Sequence, residues 1–236
     1  MIFIFNDMYQ YIFTMKNVIC FVLSTEKYVD RIERIERTWS KNVPTIFYSD
    51  HDVIERNIIK VHDEKNYRAA EMKQYKVLNS IKKMSDVISK YDWICFTDDD
   101  TFLNVKKLNE IIQTLDETKS YGEVLSYQND PRNPMFQRSD IPKDLRYPNG
   151  GSGFLISVKT INQIPEFKSY DTGFSDVTFG LNLYFNGVYI EHCDLFHRHP
   201  PSFYNHNIDQ IKKNISYHYI LNDDDMNKLY SITEEE

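Results

Sequence analysis

The chain has 236 residues, 41% of them hydrophobic and 27% charged, a length that supports one well-buried domain with at most a small appendage. Its net charge of −7 excludes a general nucleic-acid binder and a polybasic membrane-surface protein, both of which need clustered Lys and Arg. An acidic balance is compatible with sites that hold metal ions.

Residues 1–14 are apolar and aromatic but interrupted by Asn6, Asp7 and Gln10. They are too short to span a bilayer and lack both the basic region and the small-residue cleavage site of a signal peptide. They are set apart as a leader without an assigned role, with Met1 and Met15 both candidate starts. Residues 15–236 are expected to form a single domain, and no stable membrane span is predicted. The three cysteines, Cys20, Cys95 and Cys193, show no zinc spacing. A sparse, odd set suggests a reducing compartment, so the expected location is the cytoplasm. The alternative is the secretory lumen if the leader acts as a signal, the one case in which the sequon Asn214-Ile-Ser216 would matter.

In chain order, residues 17–23 form a continuous apolar, β-rich run and predict a fully buried strand. A short charged helix is expected from Asp30 to about Arg37, and a second strand over residues 45–48, ending at Ser49 and Asp50. Between Tyr67 and Ser89, Met72, Tyr75, Leu78, Ile81, Met84 and Val87 recur at helical spacing and predict one long helix. Residues 93–96 predict a third buried strand, which runs directly into Thr97 and Asp98–Asp99–Asp100. A further helix places Val105, Leu108, Ile111, Ile112 and Leu115 on one face. Alternating strands and helices imply an α/β fold with a mostly parallel sheet covered on both sides. Beyond about Tyr121, Gly150–Gly151–Ser152–Gly153 interrupts a loop-rich stretch. A strand is expected over residues 154–158 and a helix over 178–185. With no low-complexity linker, the domain divides into a nucleotide half, about 15–120, and an acceptor half, about 121–220.

Three adjacent carboxylates at the end of a buried strand are costly unless a positive charge sits among them. In open parallel sheets ligands collect at the carboxyl ends of strands, and hard divalent cations bridge carboxylates to substrate phosphates. The competing reading is a solvated turn that caps the next helix. A second triplet, Asp223–Asp224–Asp225, shows that local sequence alone does not separate the two.

The neighbours of the first triplet do. The run Trp93-Ile-Cys-Phe-Thr-Asp-Asp-Asp-Thr-Phe-Leu103 resembles the acidic segment of the fringe-like family of β-1,3-glycosyltransferases, which also includes the core-1 galactosyltransferases. The helix from Arg31 to Trp39 is similar to that family's Arg-x7-Trp block. Tyr147-Pro-Asn-Gly-Gly-Ser-Gly-Phe154 resembles its glycine loop, Asp176-Val-Thr-Phe-Gly180 its Asp-x-Thr-x-Gly block, and Phe196–His197 its Phe-His pair. The five blocks follow the family's order across about residues 17–220.

The resemblance implies a nucleotide-diphospho-sugar transferase (GT-A) fold and an inverting transfer from a UDP-sugar to a glycan or glycosylated acceptor, with a β-1,3 linkage. It implies Mn²⁺ or Mg²⁺ on Asp100 and His197, with Asp98 and Asp99 nearer the sugar nucleotide and His199 structural. Asp176 is expected to be the catalytic base, in competition with a role as helix N-cap. The family's second acidic residue before it is here Ser175. Gly150, Gly151 and Gly153 let backbone approach donor or acceptor closely. Thr25, Arg31, Asp50 and Lys73 are candidate donor contacts, the basic ones for diphosphate. Two alternatives stand beside this reading: a catalytically inactive UDP-sugar- or glycan-binding module, and a metal-dependent phosphohydrolase. No residue chooses between GlcNAc and galactose.

Overall fold

The computed structural model describes residues 15–129 and 140–235, so the leader at 1–14 lies outside the described residues. The strands are β1 (Val18–Leu23), β2 (Thr45–Ser49), β3 (Ile58–Lys60), β4 (Trp93–Asp98), β5 (Phe102–Leu103), β6 (Ser120–Gly122), β7 (Val124–Ser126), β8 (Arg146–Pro148), β9 (Phe154–Ser157), β10 (Ile190–His192), β11 (Phe196–His197) and β12 (Ser216–Tyr217). A 7-stranded sheet runs in the order β10-β6-β9-β4-β1-β2-β3. β1 pairs in parallel with both β2 and β4, and β2 with β3. β9 is the reversed strand, antiparallel to β4 and β6.

Period-two alternation decides which residue faces which layer. On β1, Val18, Cys20 and Val22 join one core with Trp39, Trp93 and Leu108; Ile19, Phe21 and Leu23 join the other with Leu78, Phe96 and Phe179. Helices Val29–Arg37, Val105–Ile112 and Asp223–Glu234 contribute to the first core, and Gln74–Lys83, Val158–Gln163 and Ser175–Phe185 to the second. Strands from both halves of the chain interleave in this one sheet. Cys20 and Cys95 sit side by side on β1 and β4 as free, buried thiols.

The long helix expected between Tyr67 and Ser89 is three pieces, Tyr67–Glu71, Gln74–Lys83 and Ser85–Ile88. Its apolar face is continuous, since Ala70, Val77, Leu78, Ile81 and Ile88 are all buried. The breaks come where the amides of Lys73 and Met84 bond to Ala70 and Ile81, three residues back, which tightens the turn. β9 ends one residue earlier than expected, because Ser157 caps the next helix by accepting from the Thr160 amide. No helix among the described residues is long and apolar enough to cross a membrane.

Candidate active site

From β1 the sheet continues to β2 and β3 on one side and to β4 and β9 on the other. Such a switch point opens a crevice outside the carboxyl ends of the strands. Ser24 and Thr25 leave β1 there, and the acidic triplet ends β4 beside them.

The three aspartates divide by partner. Asp99 is fully buried and both its oxygens are taken: Ser24 Oγ donates at 2.7 Å and Arg31 Nη1 at 2.8 Å. Burial pushes its carboxyl up to about 7 against the pull of those two donors. Asp98 and Asp100 instead face His218, whose Nε2 lies 3.8 Å from Asp98 Oδ2 and 2.9 Å from Asp100 Oδ1. One ligand atom from each of the three falls within 4.8 Å of the others. Burial, then Glu71 and the other two aspartates, raise the Asp98 carboxyl well above its ordinary value. Burial also opposes ionisation of Asp100, but His218 and Arg31 bring that carboxyl below the usual range.

This donor set fits a divalent cation. Asp100 Oδ1 is buried and makes no hydrogen bond despite its closeness to His218 Nε2. With Nε2 unprotonated, that nitrogen and one carboxylate oxygen from each of Asp98 and Asp100 lie within reach of a single ion. Carboxylate oxygens beside an imidazole nitrogen are a donor set that divalent metal ions use.

Helix Val29–Arg37 and the residues after it clamp the cluster. Arg31 reaches Asp99 and, at 3.3 Å, Asp100. The buried Trp39 donates its indole N–H to Thr101 O at 3.1 Å, and Arg34 donates to Ile220 O at 3.1 Å. Backbone bonds from His218 to His197 O and from Ile220 to Asp100 O bracket the His218 backbone. Gly151 makes room for the ring: a Cβ there would lie 2.1 Å from His218 Cε1. Gly153 has φ +84 and passes 3.0 Å, measured from an added Cβ, from Phe96 O.

The geometry arranges two parts of the cluster differently from the expectation. His197 stands outside it, and the histidine beside the aspartates is His218. β11 and β12 pair with His197 opposite Tyr217, and their rings stack at 5.0 Å. Register partners share a face and the next residue points the other way, so His197 packs into a ring cluster with Tyr204 and His206 while His218 turns to the triplet. Within the triplet, Asp98 groups with Asp100, and Asp99 is committed to Ser24 and Arg31.

Asp176 shares a cavity with Asp98, His218, Gly150, Gly151, Asn149, Arg68 and Glu71. It lies in the first turn of helix Ser175–Phe185, whose N-cap is Phe174, so Asp176 is not the cap. Its Oδ1 accepts from the Val177 amide at 2.9 Å, and a carboxylate suits a helix N-terminus. The turn before it is pinned by Thr172 and Thr178, whose hydroxyls lie 2.8 Å apart. Glu71 is paired with Arg68 at 3.0 Å, and burial raises its carboxyl.

The remaining expected donor contacts are scattered. Thr25 is buried at the crevice with Oγ1 unbonded. Asp50 is wired into the protein by the Glu26 amide at 2.8 Å and Lys65 at 2.9 Å. Lys73 pairs with Glu64 at 3.3 Å rather than with the triplet. The second triplet is the first turn of helix Asp223–Glu234, capped by Asn222, with Asp223 held by Arg34 and Arg37 at 2.7 Å each.

A model of the family described as Fringe-like matches residues 13–235. The chain belongs to that family. No curated protein sequence matches it. Among solved structures, the Fringe-like chain resembles a glycosyltransferase involved in glycosylation of the major capsid of PBCV-1, with a TM-score of 0.51 at 12% identity over 90% of this chain and 98% of that one. It also resembles the galactosyltransferase LgtC in complex with donor and acceptor sugar analogs, with a TM-score of 0.50 at 11% identity over 92% and 97% of the two chains. These likenesses carry the GT-A fold, and the family makes this Fringe-like protein a glycosyltransferase.

Reading the sequence alone misses His218, Glu71 and Arg68. The His218-Tyr219 pair stands in no distinctive local pattern, and Arg68 and Glu71 read as an ordinary i, i+3 pair on a helix surface.

Proposed function

We propose that this Fringe-like glycosyltransferase is metal-dependent and inverting, and moves a sugar such as GlcNAc or galactose from a UDP-sugar to a glycan or glycosylated acceptor, forming a β-1,3 linkage. The observation that carries the reading is the convergence of Asp98, Asp100 and His218 on one point, with Asp176 on the wall of the same cavity. Asp98, Asp100 and His218 would hold Mn²⁺ or Mg²⁺, which when bound neutralises the charge developing on the departing diphosphate. Arg31, already against Asp99 and Asp100, keeps the triplet's geometry and adds positive charge at the crevice. Asp176 takes the proton of the acceptor hydroxyl as that oxygen attacks the anomeric carbon. One displacement inverts the centre and needs no sugar–enzyme intermediate. Gly150 and Gly151 leave the cavity floor open, and Thr25 Oγ1 offers a hydrogen bond at the nucleotide side.

The donor class is tested by incubating the purified full chain with UDP-, GDP- and CMP-sugars and Mn²⁺, and measuring release of the nucleotide. Release from UDP-sugars alone supports the reading; release only from GDP- or CMP-sugars overturns it. A cytoplasmic location belongs to the same proposal, tested by fractionating cells that express the full chain.

A further inference from the structure

The cavity does not end at its metal-ligand side. Tyr219 lines it, stacks on His218 with centroids 3.9 Å apart, and is 50% exposed. Beyond it the His199 ring lies 6.1 Å from Tyr219 and 4.1 Å from Phe203, which is 64% exposed. Three rings thus form a shelf that leads outward from the cavity. Exposed aromatics in continuity with a reactive cavity are typical of a binding surface. Tyr219 also has φ +60, an unusual backbone state for a non-glycine residue, of the kind that recurs at ligand clamps.

The side on which the shelf lies decides its ligand. The segment carrying His199 is fixed to Glu123: the Arg198 amide donates to Glu123 Oε2 at 2.9 Å, and its guanidinium lies 3.1 Å from Oε1. Glu123 follows β6, two strands beyond β4 on the side away from β1 and β2. Thr25 and Asp50 stand at the ends of β1 and β2, across the triplet. A nucleotide lying on β1 and β2 leaves the shelf to the other substrate.

The geometry points to Tyr219 and Phe203, backed by the rings of His218 and His199, as a stacking platform for the pyranose rings of the acceptor, so that the acceptor is an oligosaccharide read for at least one sugar beyond the reacting unit. The apolar face of a pyranose presents polarised C–H bonds, which match the negative face of an aromatic ring. This inference rests on the transferase reading for the direction of the reaction, but the shelf can be tested separately.

Trp39 and Trp93, the two tryptophans of the chain, are both fully buried, so Phe203→Trp adds a single exposed indole as a reporter. The full-length variant would be titrated with lactose, chitobiose and xylobiose, and with a Gly-Ser tetrapeptide. A saturable blue shift with at least one disaccharide and none with the peptide is expected. Phe203→Ala should raise the acceptor KM for that sugar roughly three- to tenfold, the range of one aromatic stacking contact. An emission spectrum indifferent to every disaccharide, a shift with the peptide, or an unchanged acceptor KM in Phe203→Ala would overturn the platform. Failure of the wild type to turn over any UDP-sugar would sink the UDP-sugar reading, while the emission titration would still decide the shelf.

Discussion

At the scale of single residues, His197 on β11 and His218 just after the adjacent β12 face opposite ways, and that separates their expected effects. His218→Ala removes one of three converging ligand groups. Even changes behind a metal's ligands cost about 10–100-fold in affinity, so the Mn²⁺ concentration for half-maximal activity should rise at least about tenfold, with little change in Tm. His197→Ala breaks ring packing against Tyr204 and Tyr217. It should lower stability by roughly 1–2 kcal/mol and leave the Mn²⁺ requirement unaltered. Mn²⁺ titrations of activity beside thermal unfolding of both variants check the pair, and a Mn²⁺ shift in His197→Ala with none in His218→Ala would reverse the assignment. The sequence could not show which histidine turns inward. β11 and β12 are two-residue strands far apart in the chain, and their register is fixed by long-range packing. That Asp98 and Asp100 stand at the end of β4 was legible, because a buried apolar strand is a local pattern; Asp176 was singled out only through the resemblance, since the helix it begins was expected two residues later.

At the scale of elements, the Asp-x-Thr-x-Gly block is a packing device as much as a chemical one. Phe179 stacks between Phe154, at 4.5 Å, and Phe167, at 6.4 Å, which fixes the rotation of helix Ser175–Phe185. Gly180 lets that helix press onto β8: an added Cβ would lie 2.5 Å from Tyr147 Cβ and 2.9 Å from Arg146 O. Backbone cannot yield as a flexible side chain can, so Gly180→Ala should destabilise by about 1–3 kcal/mol through overpacking. The tilt it forces should also move Asp176, lowering kcat more than it raises the donor KM. Denaturant unfolding and steady-state kinetics measure the two effects, and unchanged stability would refute the close-packing account. The glycine in the block was visible in the sequence, but its neighbour on β8 was not, since that contact joins residues more than thirty positions apart. The three-way break of the helix between Tyr67 and Ser89 escaped for a related reason. Apolar periodicity reports a buried face, and that face runs unbroken through turns that interrupt the helical hydrogen bonds.

At the scale of the whole molecule, β1, β2 and β4 were readable as apolar runs alternating with helices, whereas the three-residue edge strand β3, with only Ile58 buried, was not. Nor was the reversal of β9, because strand direction depends on where the chain re-enters the sheet. The acid limb of stability should depend on Asp50, which ties the end of β2 to Glu26 and Lys65. Burial opposes its ionisation, yet Lys65, the Glu26 amide and Ser49 hold its carboxyl well below the usual range. Because the folded value is depressed, this contribution is fully present above the unfolded value of about 4 and is lost as pH falls toward the folded one. Asp50→Asn should therefore be less stable than wild type at pH 7, with the gap narrowing below about pH 4. Urea midpoints measured from pH 7 to pH 2 would show it, and a gap that widens on acidification would contradict it.

The central claim is that Asp98, Asp100 and His218 hold a metal that Asp176 works beside in sugar transfer. The most direct measurement is UDP release from UDP-sugars, with and without acceptor, in wild type, Asp100→Ala and Asp176→Asn, each with Mn²⁺ and with EDTA. The account predicts wild-type turnover that EDTA removes and Mn²⁺ restores, none in Asp100→Ala, and transfer reduced about 10²–10⁴-fold in Asp176→Asn. Undiminished transfer in EDTA, or in both variants, would contradict it.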